Sequence, residues 1–333
     1  MAKLTPRERV MTTLAGGIPD RVPWIESGID PVVAEKLLGR PVSVPPRIRM
    51  DPELMDILNL DNVSVNLKPP DVVERTFSGG VDYVGDGLIK GWDDLDFLRD
   101  QLPDPHDENL YKPINDYLKH HKRDYAAACG LRAGMANAYL SIGIQTFSLM
   151  LYDDRKFVET VMDIFNDWTL AVVEHINEMD FDYVIISDDL AHSAGPLFSP
   201  QIFRELFVPR YRRVVEKLKK PWILHTDGNF LPLIEDLLPL GMSAIGNLEP
   251  AAVDIVQLKK DYGHRVALLG NIDLNYTLTR ATEEEVEAQV KLRISQLAPG
   301  GRYLLASENS IPSYVQPENL LAMSRAVEKY GYY

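Results

Sequence analysis

Short apolar runs recur along this chain, and segments of helical periodicity separate the later ones. Eight runs have the length and composition of buried strands: RVPWIE, VSVNL, YAAACG, DYVIIS, PWILH, MSAIGN, RVALLG and RYLLAS. Segments such as SPQIFRELFVPRYRRVVEKLKK and TEEEVEAQVKLRISQL lie between them. Continuous apolar strands alternating with amphipathic helices are typical of a parallel sheet covered on both faces. Eight strands is the number of a closed (β/α)8 barrel.

The chain is therefore predicted to be an α/β protein with a single (β/α)8 TIM barrel domain over residues 1–333. A helix is predicted within residues 1–20, because Thr5 can cap it, Pro6 suits its first position and Glu8 completes a capping box. Residues 68–124 fit the alternation least well. They contain TFSGGVDYVGDG, which is typical of a hairpin, and we interpret them as an elaborated, insertion-like early segment.

Polar side chains follow the apolar runs at the points where the predicted strands end. In (β/α)8 barrels the carboxyl ends of the strands meet at one face, which carries the active site. We therefore predict the active site at this rim. Its residues are Glu26, Asn66, Arg132, Asp188 with Asp189, His225 with Asp227, Glu249, Asn271 with Asp273, and Ser307 with Glu308 and Asn309.

Composition excludes several classes of function. With 49 acidic and 35 basic residues the formal net charge is −14, which opposes a general role in binding nucleic acid. The single cysteine, Cys129, allows no intramolecular disulfide. The N-terminal stretch lacks the apolar core of a signal peptide, and the most apolar longer stretch, NAYLSIGIQTFSLMLY, is interrupted by polar residues. We therefore expect a cytoplasmic protein without a membrane span.

Several segments resemble a known family. TPRERVMTTLAGGIPDRVPW is similar to the opening of the uroporphyrinogen decarboxylase superfamily, and HTDGN, IGNLEP, LLGNID and GGRYLLASENSIPSYVQPENLLAM follow in the family's order. The resemblance runs over most of the chain and implies a (β/α)8 barrel with a funnel at its C-terminal face. Members include porphyrinogen decarboxylases and corrinoid-dependent methyltransferases.

The residues that distinguish these two branches favour the methyltransferases. The decarboxylases resemble one another in an arginine-containing loop after the first strand, which binds substrate carboxylates, whereas no arginine occurs here from Val22 to Val33. The decarboxylases also resemble one another in an aspartate after the second strand, which contacts the pyrrole nitrogens of the substrate. Asn66 stands near that position here, and its neutral amide cannot supply the negative charge. SIGIQTFSLMLYDDRKFVETVMDIFNDW and SDDLAHSAGPLFSPQIFRELFVPRYRRVV are similar to segments of proteins that move methyl groups to or from a corrinoid.

The zinc-ligand pattern of that branch is altered here. Zinc-dependent members use a histidine, a cysteine two residues later and a second cysteine after the last strand. His225 matches the histidine, but Asp227 and Asn309 stand at the cysteine positions. The loss of both thiolates argues against a thiol acceptor. It is compatible with a demethylase-type enzyme, which moves a methyl group from an ether or amine to a reduced corrinoid.

The resulting hypothesis assigns a role to each of eight rim residues. We predict His225, Glu249 and Asp188 as catalytic, Glu26, Asp189, His192 and Asn309 as substrate-binding, and His225, Asp227 and Glu249 as ligands of a candidate zinc ion. Zinc would act as a Lewis acid on the leaving oxygen. Without a metal, a protonated His225 or a carboxylic acid of raised pKa would donate a proton instead. Because Asp188 and Asp189 are adjacent, we expect only one of them to reach the rim.

The resemblance also implies partners. The corrinoid (cobalamin) is expected on a separate corrinoid protein, the substrate is expected to be a small methylated compound such as an O-methyl aromatic, and a homodimer is compatible with the family. Two other functions stay open. One is a uroporphyrinogen decarboxylase-like carboxy-lyase that needs no cofactor, and the other is a non-catalytic binder of a corrinoid or tetrapyrrole. A binder would need an apolar, aromatic rim, whereas histidine and carboxylates indicate chemistry.

Overall fold

Seven of the apolar runs form one parallel sheet. In the computed structural model, which describes residues 3–78 and 81–333, the strands lie side by side in chain order. They are β1 (Asn62–Asn66), β2 (Ala126–Leu131), β3 (Tyr183–Ser187), β4 (Trp222–His225), β5 (Ala244–Leu248), β6 (Ala267–Gly270) and β7 (Tyr303–Leu304). Each neighbouring pair is parallel. The predicted α/β class and parallel sheet are confirmed.

The first predicted run, RVPWIE, is not a strand of this sheet, so the prediction of eight regular strands needs correction. It makes individual backbone hydrogen bonds: the Ile25 amide donates to the Leu305 carbonyl (3.1 Å), the Leu305 amide to the Pro23 carbonyl (2.8 Å), and the Asp61 amide to the Trp24 carbonyl (2.8 Å). Pro23 has no N–H to donate, which prevents a regular ladder. The run thus lies between the residues after β7 and those before β1.

Helices follow the strands and cover the sheet. They are α1 (Pro6–Leu14), α2 (Pro31–Leu38), α3 (Pro52–Leu58), α4 (Leu95–Gln101), α5 (Glu108–His121), α6 (Met135–Ile142), α7 (Ile144–Asp153), α8 (Arg155–Glu178), α9 (Pro200–Ile202), α10 (Val208–Lys217), α11 (Ile234–Leu237), α12 (Ile255–Tyr262), α13 (Glu283–Leu297) and α14 (Pro317–Tyr330). A π-helical turn, Phe203–Phe207, joins α9 to α10. Among the helices of the described residues, none combines the length and apolar composition that crossing a membrane requires.

The predicted N-terminal helix is confirmed as α1, with the expected capping box. The Glu8 amide donates to Thr5 Oγ1 (3.2 Å), and the Thr5 amide donates to Glu8 Oε2 (2.8 Å). Between β1 and β2, the predicted hairpin is confirmed as Val73–Ser78 paired with Val81–Gly87. Its predicted turn residues, Gly79 and Gly80, lie outside the described residues. The helices α4 and α5 complete this early segment.

Alanines and larger side chains, such as Tyr183 and Ile223, share the inner side of the sheet. Ala126 and Ala128 of β2 lie there with Ala244 of β5 and Ala267 of β6, while alternate residues of the same strands face the helices. Val10 and Leu14 of α1 belong to the same inner cluster. The N-terminal helix therefore covers the amino ends of the strands and leaves their carboxyl ends as the accessible side.

A buried ion network ties α1 and the RVPWIE run to the start of β1. Asp61 Oδ1 lies 2.5 Å from Arg9 Nη1, and Asp61 Oδ2 lies 3.2 Å from Arg21 Nη2. Arg9 Nε also pairs with Asp20 Oδ1 at 2.8 Å. The Trp24 amide donates to Asp61 Oδ2 (2.7 Å). Asp61 is fully buried, so its charge depends on these partners.

Candidate active site

Asp189, His225 and Asp227 lie together where β3 and β4 end; we call them the rim trio. Ser187 of β3 is in register with His225 of β4, so the residues just beyond both strands meet. His225 Nε2 is 3.7 Å from Asp227 Oδ1 and 3.9 Å from Asp189 Oδ1. One potential ligand atom from each residue lies within 4.8 Å of the other two. The trio can therefore share one small ligand.

The donor atoms of the rim trio fit a divalent metal ion. Asp189 Oδ1 is buried and has no hydrogen-bond partner among the described residues. Burial lowers the pKa of His225 to about 4, so the imidazole is neutral at neutral pH and has a nitrogen lone pair for a ligand bond. One imidazole and two carboxylates are donors that zinc accepts in catalytic sites. On these observations a zinc ion suits the trio.

Asp227 lies close to other carboxylates. Burial, followed by the charges of Asp189 and Glu249, raises the pKa of Asp227 to about 7. Asn309 supplies the compensating contact, with Nδ2 at 3.1 Å from Asp227 Oδ2 and 3.3 Å from Oδ1. A bound cation or a proton would relieve the remaining repulsion. Asn309, predicted to bind substrate, is thus brought next to the trio.

The structure groups Asp189, rather than Glu249, with His225 and Asp227, and the zinc-ligand role of Glu249 stays a prediction. Glu249 Oε2 accepts a hydrogen bond from the Gly228 amide (2.8 Å). The Glu249 carbonyl accepts from the Ala252 and Val253 amides, both at 3.0 Å. Glu249 therefore begins a turn directly after β5 and holds the backbone of the loop after β4. Its catalytic role stays a prediction.

Asp188 and Asp189 point in different directions, as expected for adjacent residues, but Asp188 is the one turned inward. It is fully buried, and its two carboxylate oxygens accept from the Ala133 and Ala136 amides, both at 2.8 Å. Those amides belong to the start of α6 and the residues before it, so Asp188 holds the loop after β2 in place. This geometry does not favour the catalytic role predicted for Asp188.

His192 lies close to the trio in sequence but outside it in space. It belongs to a small hairpin, Ala191–His192 paired with Gly195–Pro196. Its imidazole is exposed, and Nδ1 accepts from the Ala194 amide at 3.2 Å. The backbone of His192 packs against Gly228. Its contact with substrate stays a prediction.

Glu26 lies beneath the rim, only 2% exposed. Oε1 accepts from Trp24 Nε1 (2.8 Å) and from the Ser307 amide (3.0 Å), and Oε2 is 2.6 Å from Ser307 Oγ. The Ser307 hydroxyl also contacts the Asn309 carbonyl. A hydroxyl has one proton, so if it donates to that carbonyl, Oε2 must carry a proton and donate to Ser307. Burial raises the pKa of Glu26 to about 7. This position does not favour the substrate contact predicted for Glu26.

The variant Glu26→Gln is expected to become more stable relative to the wild type as the pH rises. A carboxyl whose pKa is raised from 4.5 to about 7 on folding binds more protons in the folded chain, so its stabilising contribution is lost as the pH rises through the folded-state pKa. Gln reproduces the hydrogen bonds of the protonated form without titrating. Between about pH 5 and about pH 8 the difference in unfolding free energy should change by roughly 2–3 kcal/mol.

Urea unfolding monitored by tryptophan fluorescence at several pH values measures this difference. Glu108→Gln, at an exposed position of α5, is the control for the loss of one carboxyl group. A constant difference between Glu26→Gln and the wild type across the pH range would show that Glu26 does not titrate in this interval.

A cleft of about 90 Å³, open to solvent, reaches His225 of the trio. Its lining includes Ser27, Arg49, Asn66, Lys68, His225 and Asn309. Our sequence analysis missed Arg49 and Lys68. Lys68 lies two residues beyond Asn66 and directly after the predicted run VSVNL, so applying the strand-end rule to the residue after that run would have found it. Arg49 precedes β1 by a whole helix, and no local signal marks it.

The fold and the site define an α/β protein with a parallel sheet and a histidine–carboxylate centre at the carboxyl ends of its strands. Residues 117–330 match the family model described as "Uroporphyrinogen decarboxylase (URO-D)". The chain belongs to the uroporphyrinogen decarboxylase family, as its sequence segments predicted. Its structure is similar to that of a methyltransferase from Methanosarcina mazei, with a TM-score of 0.77 over 98% of this chain and 99% of the other, at 19% identity. That similarity shows a shared fold.

Relatives from both branches of the family are similar in sequence. The chain is 24% identical over 189 residues to the methylcobamide:CoM methyltransferase MtaA of Methanosarcina barkeri, covering 57% of this chain and 54% of the relative. It is 24% identical over 215 residues to the uroporphyrinogen decarboxylase of Dechloromonas aromatica (strain RCB), covering 62% and 57%. The chain spans about half the length of the curated relatives it matches.

Proposed function

We propose that this protein transfers a methyl group from a small methyl ether or amine, of which an O-methyl aromatic is the preferred type, to the Co(I) corrinoid of a partner protein. The rim trio carries this proposal, since it offers one imidazole and two carboxylates and no thiolate. The single cysteine, Cys129, is buried in the core and is not a member of the trio, which argues against a thiol acceptor. Similarity to a methylcobamide:CoM methyltransferase supports a corrinoid as the other reactant.

The position of the trio suits a reaction between a small substrate and a large partner. The run around Trp24 bridges Leu305 and Asp61, which supports a closed barrel with the RVPWIE run in the place of an eighth strand. The trio then lies at the open carboxyl end of that barrel. A small substrate can enter the cleft, and a partner protein can present its corrinoid from outside.

Asp189, His225 and Asp227 are the residues that would hold a zinc ion, which supplies Lewis acidity for the oxygen that leaves the methyl group. In the transfer the carbon–oxygen bond breaks, the methyl carbon forms a bond to the electron pair of Co(I), and the oxygen departs with the bonding electrons and takes up a proton. Asn309 orients Asp227, and Glu249 orients the loop through Gly228.

A metal-free version of the same reaction uses the carboxylic acid, the second of the two proton donors that the sequence left open. With a pKa near 4, His225 is rarely protonated at neutral pH and is a poor proton donor. Asp227, with a pKa near 7, is the carboxylic acid that matches this role. In this version His225 accepts a hydrogen bond and orients the substrate.

Incubation of the protein with Co(I) cobalamin and a panel of methoxylated aromatics and methylated amines tests the proposal. We expect the absorbance of Co(I) to be replaced by that of methylcobalamin, with one demethylated product formed for each methyl group transferred. Turnover of uroporphyrinogen without methyl transfer would instead assign the decarboxylase activity that the relative from Dechloromonas aromatica is named for. Tight cobalamin binding without turnover of any donor would indicate a carrier.

A further inference from the structure

Two cationic side chains, Arg49 and Lys68, line the cleft that reaches His225. Among the side chains of residues 3–78 and 83–333, none makes a hydrogen bond or ion pair with the guanidinium of Arg49 or the ammonium of Lys68. Arg49 is exposed and Lys68 is half-buried, and a half-buried charge normally has a partner of opposite charge that compensates its lost hydration. The cleft therefore has unused capacity to bind negative charge.

Lys68 lies among charges of both signs. Burial, followed by the positive charges of Arg132 and Arg49, lowers the pKa of Lys68 to about 8. Arg132 is neutralised by Asp71, whose Oδ1 lies 2.5 Å from Arg132 Nη1. The nearby carboxylate of Asp189 belongs to the rim trio. Asp30 acts electrostatically on Arg49, and Asp188 with Asp189 acts on Lys68. Neither cation forms an ion pair with these carboxylates, so both keep hydrogen-bond donors for an anion.

Two glycines provide the room for the polar side chains of this cleft. A Cβ atom at Gly28 would lie 2.8 Å from Arg49 Nε and 3.0 Å from Arg49 Nη2, which is closer than an ordinary non-bonded contact. A Cβ atom at Gly130 would overlap Asn66 Oδ1. Side chains at these two positions would displace Arg49 and Asn66. The cleft is therefore shaped to hold its polar groups where they lie.

We infer that Arg49 and Lys68 bind an oxyanionic group of the methyl donor and thereby place its methyl group beside His225. A planar guanidinium forms paired hydrogen bonds with a carboxylate, sulfonate or phosphate, and an ammonium adds a point charge. A cleft of about 90 Å³ admits a small charged group and excludes a whole tetrapyrrole. The donor is thus a small methylated acid. The identity of the methyl donor rests on the proposed function, whereas binding of the anion does not.

Calorimetric titration without any corrinoid tests this inference directly. The probes are meta-methoxybenzoate, meta-methoxybenzenesulfonate, meta-methoxyphenyl phosphate and the neutral meta-methoxybenzamide. We expect at least one of the anions to bind about tenfold more tightly than the amide, because a hydrogen-bonded charge pair contributes at least that much. The comparison among the three anions identifies the oxyanion that the cleft prefers.

Three variants test whether these two cations cause the preference. Arg49→Met and Lys68→Met should each reduce the preference for the anion over the amide by about tenfold. Gly28→Ala should weaken it without removing a charge, because it displaces the Arg49 guanidinium. Lys36→Met, at an exposed position of α2, is the control for the loss of one positive charge. Thermal unfolding establishes that each variant is folded.

Equal binding of the anions and the amide by the wild type would overturn the inference, as would an unchanged preference in Arg49→Met and Lys68→Met. These outcomes differ from a failure of the proposed function. If the anions bind preferentially and the variants lose that preference, but no donor yields methylcobalamin, the anion site stands and methyl transfer is refuted. If methyl transfer occurs with no preference for acidic donors, the proposed function stands and the anion site is refuted.

Discussion

Replacement of His225 by alanine is expected to remove bound zinc and to lower the rate of methyl transfer by at least about a thousandfold. His225 supplies the only nitrogen donor of the rim trio, and its Nε2 lies within 4 Å of a carboxylate oxygen from each of the other two members. Without it, two carboxylates remain, and oxygen donors alone favour magnesium or calcium over zinc. Zinc content is measured by elemental analysis and transfer by the formation of methylcobalamin.

The control for this variant is His264→Ala, which removes an exposed imidazole after α12. It should keep both the zinc content and the rate of the wild type. A His225→Ala protein that is as active as the wild type would refute any role of the trio in catalysis. A wild type that is fully active without zinc, together with an inactive His225→Ala, would leave the metal-free version in which Asp227 donates the proton.

The ligand set can be tested with a matched pair of isosteric variants. Asp189→Asn and Glu249→Gln each remove one negative charge from the rim with little change in shape. If Asp189 is the third ligand, Asp189→Asn should lower zinc affinity by about 10- to 100-fold, and Glu249→Gln should retain zinc because its amide oxygen can still accept from the Gly228 amide. The opposite result would restore Glu249 to the ligand set.

Replacement of Asp61 by asparagine is expected to destabilise the fold by about 3–5 kcal/mol. The fully buried carboxylate of Asp61 neutralises Arg9 and Arg21 and accepts the Trp24 amide. Asparagine keeps the size of the side chain but leaves Arg21 without a carboxylate among its described partners. The loss should appear as a lower midpoint of urea unfolding.

Asp56→Asn is the matched control for that variant. Asp56 pairs with Arg123 at 2.8 Å, but its side chain is 56% exposed, so the change in unfolding free energy should be about 1 kcal/mol or less. Equal effects of Asp61→Asn and Asp56→Asn would contradict the structural importance of the buried network. Because Asp61 is remote from the trio, zinc binding should survive in folded Asp61→Asn protein.

Local pattern was enough to locate seven strands and the capped first helix. A strand is indicated by an apolar run bounded by polar residues, and a helix start by a Thr-x-x-Glu capping box. Both signals depend only on neighbouring residues, so they can be recognised without knowing the fold. RVPWIE was predicted as a strand from its composition, and the structure gives it isolated bridges, Trp24 with Leu305 and Arg21 with Tyr332. Whether it joins a ladder depends on donors and partners elsewhere in the chain, and Pro23 lacks a donor.

The general place of the candidate site also followed from the sequence, since polar residues after parallel strands must collect at one face of the sheet. His225, Asp227 and Asn309 were all predicted there, and the structure places them together. Membership of the uroporphyrinogen decarboxylase family was also predicted from the sequence, because several segments similar to the family occur in the family's order. The methyltransferase function itself stays a proposal.

The sequence by itself determined the parallel strands, the helical cap and the end of the sheet that carries the candidate site, because each depends on residues close together in the chain. Only the tertiary structure decided that Asp189 rather than Glu249 joins His225 and Asp227, since that choice depends on how the loops after β3 and β5 turn. Only the tertiary structure brought Arg49 into the cleft, because a contact between residues far apart in the chain leaves no local pattern.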